Sequence, residues 1–185
     1  MKINEDYLAE EFSVIIPVAD FMAQYRDAEK FMGFCQQCRR YDTCWACPPF
    51  SFNVDHYLYQ YQTAFILASK ITPLHPQEIT DPITYGAELM KTERLSMDAR
   101  LLRLEKQYQG RAFFAGFCIV CPSCTRIEGK PCPYPELARP SLESCGFDIG
   151  KTTSQLLNIE LKWSENGKMP EYLTLVGGVF HNAIQ

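Results

Sequence analysis

Histidine is scarce. The chain of 185 residues has three, and none stands at ligand spacing from a cysteine pair. His56 trails a cysteine group by nine positions, His75 lies between prolines, and His181 is near the C-terminus, so a mixed Cys/His zinc finger is not expected. Catalytic signatures are missing too: no His-Glu-x-x-His, no nucleophile elbow and no dinucleotide fingerprint. Gly150-Lys151-Thr152 imitates the end of a phosphate loop, but the leading glycine of that motif would fall at Cys145, which removes the resemblance. No apolar stretch is long enough to span a bilayer, so any membrane role would be peripheral. Positive charge is short: 18 Lys and Arg against 22 Asp and Glu give a net charge of -4. That excludes general nucleic-acid binding, which needs a basic face to displace counterions. Residues 1–6 form neither a basic leader nor the start of an apolar signal segment, so the expected location is a reducing cytoplasm, where disulfides rarely persist.

Cysteine is abundant instead, and eight of the nine fall into two sets. Cys118, Cys121 and Cys124 recur every third residue, and Cys132 follows after seven intervening residues with Pro133 behind it. A tight loop with three thiolates at this spacing suits three corners of a cubane iron-sulfur cluster, with a more distant cysteine at the fourth. Bacterial ferredoxins share the three-cysteine start and the Cys-Pro finish but keep only three residues between the last two cysteines. The wider gap weakens the ferredoxin comparison more than the metal assignment. Upstream, Cys35, Cys38, Cys44 and Cys47 form two Cys-x2-Cys pairs five residues apart, followed by Pro48 and Pro49. Each pair has the form of a zinc knuckle, and zinc and a second iron-sulfur cluster fit this set equally well. Exchange of ligands between the sets is open, with Cys132 the member in question, because in two-cluster ferredoxins the last cysteine of a run serves the other cluster. Core cysteines, by contrast, have no reason to recur at ligand spacing.

The first set with Tyr41, Trp45 and Cys47-Pro48-Pro49, and the second with Cys132-Pro133, residues 139–143 and Gly146-Phe147-Asp148, resemble a family of predicted metal-binding proteins classed as a domain of unknown function. The likeness runs from about Ala19 to the C-terminal strand. It implies metal binding through the eight cysteines and supplies no reaction. Cys145 belongs to neither set: it reads as a small buried residue, with a reactive thiol or an exchangeable ligand as alternatives.

The chain length and the hydrophobic fraction of 46% fit one domain over residues 1–185 with a real core. Strands are expected at 12–17, 63–69 and 111–117; the second is an apolar run suited to burial on both faces. Helices are expected from Asp20 to about Met32, over 54–61, and from about Glu88 to Tyr108, where Met97, Leu101, Leu104 and Tyr108 share a face. Ser141 and Asp148 are candidate caps of two further helical pieces. Residues 159–163 alternate, Asn166-Gly167 signals a turn, and a strand follows over 171–180, together predicting a C-terminal hairpin. The expected fold is α/β, a mixed β-sheet flanked by helices with two cysteine-rich metal loops.

These readings lead first to a cytoplasmic iron-sulfur protein, with one or two 4Fe-4S clusters, that exchanges electrons with a redox protein partner. The alternatives are a structural zinc protein presenting an interaction surface, with zinc above all at the first set, and an enzyme in which a cluster assists the reaction. Tyr41 and Trp45 are expected to pack over the first site and exclude water from it. Arg39, Arg40, Arg126, Lys130 and Arg139 stand in or beside the motifs, either offsetting thiolate charge or as solvated loop charges.

Overall fold

Alternation along one strand sets the layering of the molecule. In β3 (Thr63–Pro73), Ala64, Ile66 and Ala68 point into one buried cluster and Leu67 and Ile71 into the other. This is the two-sided burial expected of a continuous apolar run. A computed structural model describes residues 2–3, 6–165 and 167–182 of the chain. Its elements are β1 (Lys2–Ile3), β2 (Tyr7–Pro17), α1 (Val18–Tyr25), α2 (Ala28–Gln36), α3 (Val54–Leu58), β3, α4 (Pro82–Tyr108), β4 (Arg111–Phe113), α5 (Ile149–Leu156) and β5 (Leu173–His181). The sheet order is β1-β2-β3-β5-β4. α4 supplies Leu89, Met97 and Leu101 to one face of the sheet, while α1, α3 and α5 cover the other with Phe21, Leu58 and Ile149. Among the described residues no helix is long and apolar enough to cross a membrane.

The α/β class read from the sequence is present, but the sheet differs in detail from the mixed one expected. Every named ladder is antiparallel, and the only parallel pairing among the described residues is an isolated bridge between Phe114 and Ser141. β3 and β4, joined through α4, do run in the same direction. β5 slots between them and runs opposite to both. The C-terminal strand is thus interior to the sheet, and the hairpin expected to precede it does not form. Residues 159–163 are not a strand; only Glu165 and Lys168 bridge. Asn166, on which the turn signal rested, lies outside the described residues.

The single helix expected from Asp20 is two. Arg26 is extended (φ -117°, ψ 133°) and bridges to Phe147, the Asp27 amide donates to the Gly146 carbonyl (2.9 Å), and the Asp148 amide donates to the Tyr25 carbonyl (2.8 Å). These bonds compensate for those lost at the break, and Asp27 caps α2 by accepting from the Lys30 amide. Gly146 is required there: its φ is +95°, and a Cβ would lie 2.9 Å from Ala28 Cα. Phe147 then stacks on Phe21 at 4.4 Å. The step 146–148 is therefore a docking element, and it fixes α2, the helix that carries Cys35.

β2 and α4 both begin earlier than expected. β2 pairs with β3 along its whole length, and Asp81 caps α4 from just before Pro82. The Glu105 carboxylate near the end of α4 accepts two bonds from Arg139, 2.8 Å from Nε and 2.6 Å from Nη2, and a third from the Ala112 amide. Burial alone pushes this carboxyl up, but Arg139 and the amide outweigh it and hold it below the ordinary glutamate range. A carboxylate held down when folded contributes stability above its unfolded value, about 4.3, and loses it as pH falls through the folded value. Glu105→Gln should accordingly cost about 3 kcal/mol at neutral pH, since Arg139 is left buried without a charge partner. Denaturant melts from pH 7 to 3 should show the difference from wild type shrinking on the acid side.

Candidate metal centre

Each cysteine set sits on a connection made rigid by backbone bonds. Cys35 lies in the last turn of α2 and its carbonyl accepts from the Cys38 amide (3.0 Å); Cys44 and Cys47 repeat the arrangement (3.0 Å). Asp42, at φ 55°, reverses the chain between the pairs, and its amide donates to the Pro48 carbonyl (2.8 Å). The second set leaves β4 through Gly116, runs through a 3-10 turn at Thr125–Glu128, and is tied off where Arg139 grips Glu105 and the Pro135 and Ala138 carbonyls.

The two loops pack on each other. Cys44, Ala46 and Cys47 are buried against Phe117, Cys118 and Cys124. One small cavity is lined by Cys44, Cys118, Cys121, Cys124 and Cys132 together with Trp45; as the side chains stand it holds about one water-sized sphere. Cys35 and Cys38 lie outside that lining, within electrostatic reach of Cys47. All eight predicted ligands therefore fall in one region, but the boundary between them does not follow the sequence: Cys44, a member of the first set, faces the second. Among the described residues no three His, Cys, Asp or Glu side chains close as tightly as a single bound ion would draw them. All nine cysteines are free thiols.

Backbone N–H groups point at the sulfurs. The Arg40 amide donates to Cys38 Sγ (3.5 Å) and the Trp45 amide to Cys124 Sγ (3.4 Å); Cys44 accepts from Ala46 and Cys118, and Cys118 from Val120. A neutral thiol is a poor acceptor, so such donors favour the thiolate. Cys44 is held down to about 5, chiefly by a bond from the Cys47 thiol and against the effect of burial, while Cys47 is pushed up as the partner that keeps the proton. Burial raises Cys118 and, with the nearby Cys38, Cys35.

Arg126 fastens the loops together. Its Nη1 donates to the Cys44 (3.1 Å) and Cys47 (2.9 Å) carbonyls, and its Nη2 donates to Asp42 Oδ1 (2.7 Å) and the Pro49 carbonyl (2.7 Å). The guanidinium also lies over the Trp45 ring. Trp45 itself reaches to the second loop, where its Nε1 donates to the Lys130 carbonyl (3.0 Å). It thus covers the cavity shared by Cys44 and the second set, and Phe117 packs against Cys44 and Cys47. Lys130 and Arg39 remain exposed, Lys130 paired with Glu128.

Cys145 is a core residue. It is 2% exposed, packed in the α1 and α5 cluster, and burial pushes its thiol up to about 12, which makes it unreactive. His56 and His75 are exposed, His181 stacks on Tyr108, and none lines the cysteine cavity. Three residues that do matter to the region were not singled out from the sequence, Arg94, Asp98 and Phe117, and Glu143 was read only as part of the 139–143 segment. Arg94 carried a readable signal, since it continues the buried stripe of Met97 and Leu101 one turn back, and Asp98 follows it at i+4.

No curated protein and no solved structure matches the chain. A family model described as "Predicted metal-binding protein (DUF2284)" matches residues 22–180, a span that contains both cysteine sets, the docking step at Gly146 and most of the interior strand β5. The sulfur donors, the amides directed at them and this match agree, and the chain belongs to the DUF2284 family of predicted metal-binding proteins.

Proposed function

We propose that this chain is a cytoplasmic iron-sulfur protein that exchanges electrons with a redox protein partner. The observation carrying this reading is the set of backbone amides directed at Cys38, Cys44, Cys118 and Cys124. Such bonds compensate thiolate charge without side-chain rearrangement, and together with burial they are the protein's means of setting a cluster's potential. The chemistry of the donor set fits: the thiols of Cys118, Cys121, Cys124 and Cys132 around one cavity would hold a cubane once the loops open to admit it, and Cys35, Cys38, Cys44 and Cys47 supply a second set. A bound 4Fe-4S cluster supplies one-electron exchange at nearly constant geometry. The chain holds the thiols, directs its amides at them and uses Trp45 and Phe117 to limit water access. Exposed Val120, Ile127, Tyr134 and Leu137 on the second loop supply apolar surface where a redox partner would approach.

A second reading, structural zinc, draws on the cavity itself, which has room for one ion and would have to open to admit a cubane. Anaerobic purification separates the two. Iron-sulfur protein is brown, absorbs broadly near about 400 nm and releases acid-labile sulfide; a colourless protein with stoichiometric zinc and no sulfide overturns the proposal. Removing metal with a chelator should in either case loosen residues 35–49 and 118–133 while the β2-β3-β5 sheet keeps its amide protection, measured by hydrogen exchange.

A further inference from the structure

Among the described residues, six buried side-chain nitrogen or oxygen atoms have no hydrogen-bond partner, and five of them gather beneath the cysteine loops: Arg40 Nε, Arg94 Nε and Nη2, Asp98 Oδ1 and Glu143 Oε2. Arg40 lies over the Phe117 ring at 4.1 Å and Arg94 approaches the same ring at 5.8 Å. Arg94 projects from α4 under the turn that leads into Cys118, with Nη1 3.9 Å from where a Gly116 Cβ would sit. It is 6% exposed. Its one ion pair, with Asp98 Oδ2 at 3.5 Å, lacks hydrogen-bond geometry.

A guanidinium buried in this way is costly unless an opposite charge stands close. The nearby carboxylates are poor candidates. Asp98 approaches Arg94 Nε at 3.5 Å without hydrogen-bond geometry, Asp98 Oδ1 and Glu143 Oε2 have no hydrogen-bond partner, and burial raises both carboxyls. Thiols in electrostatic reach of Arg94 are Cys118 and Cys44, the two that meet where the loops join. Four thiolates around a divalent ion or an oxidised cubane leave net negative charge at that place. The missing partner of the arginines has the sign and the position of a loaded centre.

We propose that Arg94 and Arg40, stacked on Phe117, are the built-in counter-charge of the metal centre at Cys118 and Cys44, with hydrogen-bonding capacity left over that a loaded thiolate site completes. They are positioning residues and ligate nothing. The inference rests on metal binding by the cysteines but applies to a cubane and to zinc alike.

The experiment compares wild type, Arg94→Met and Arg94→Lys in metal-free and metal-loaded forms. Metal-free Arg94→Met should resist denaturant at least as well as wild type, because an unsatisfied buried charge has gone. Loaded Arg94→Met should surrender metal to a chelator at least ten-fold faster and, with iron bound, show a more negative midpoint potential in a titration followed by electron paramagnetic resonance. Arg94→Lys should recover most of the retention. Arg40→Met repeats the comparison without touching α4, should Arg94→Met fail to fold. Equal chelator rates and potentials in wild type and Met variants overturn the inference, as does a Lys variant no better than Met, or a metal-free Met variant weakened as much as the loaded one. If wild type holds zinc and no iron, the iron-sulfur reading fails while the zinc release rates still decide this one.

Discussion

Arg126→Ala should release metal from both cysteine sets at once, although Arg126 contributes no ligand. The guanidinium makes four bonds to the first loop from a position on the second, and its side chain is only 10% exposed. Three of those acceptors are backbone carbonyls of the first loop, two belonging to the predicted ligands Cys44 and Cys47. Without the arginine they are left to whatever water can reach them, and Asp42 loses its ion pair. Net values of about 1 kcal/mol for each ordinary bond, and more for charged donors, make a loss of about 3 kcal/mol reasonable, with the exposed Asp42 pair counted at little. The whole loss falls on the contact between the loops. Metal analysis of the purified variant should therefore show both centres depleted, while circular dichroism shows the sheet and α4 intact. Depletion of one centre alone would mean that the loops fold independently. Arg126→Lys should behave almost as badly, because one ammonium cannot span acceptors set for a planar fork.

Cys44→Ser and Cys121→Ser should part company. Cys121 lines the shared cavity and belongs to the second run, so its loss should remove one centre and about half of the bound metal while the other survives. Cys44 lies at the junction: its thiol contacts Cys47 and Cys124 and accepts from the Cys118 amide, and it is 2% exposed. A serine there withdraws a sulfur from both neighbourhoods and places a hydroxyl in a buried site, so both centres should lose metal. The check is metal and sulfide content per chain with the two variants prepared side by side. If Cys44→Ser depletes only the first set, the sequence order of the cysteines defines the centres after all.

The parts of the fold legible beforehand were those in which local pattern and tertiary role coincide. The apolar run in β3 and the helical stripe of α4 were readable because burial dictated residue type at each position. Both cysteine sets stood out by their regular spacing, and the fold brings the two loops that carry them into contact. What escaped depended on partners distant in sequence. The break between α1 and α2 has no proline or glycine at Arg26; it exists because Gly146 and Phe147, about 120 positions away, offer the backbone a better set of bonds. The antiparallel character of the sheet turned on where β5 inserts, and no periodicity encodes that. Trp45 was placed over its own cysteines by proximity in sequence, whereas its indole N–H finds its acceptor at Lys130. Arg126 looked like one loop charge among several, since its acceptors are carbonyls, which have no residue type to recognise.

The insertion of β5 between β3 and β4 also fixes an order of events at the ribosome. Chains emerge from the N-terminal side at roughly 5–20 residues per second, and Leu173–His181 leaves the exit tunnel after both cysteine loops have done so. Until then β4 has no strand to pair with, and β3 has only β2 along one of its two edges. Nascent thiols are thus exposed on an unfinished scaffold, where a metal donor or an oxidant reaches them before β5 arrives. Oxidants would therefore injure this protein during its synthesis more than after its completion.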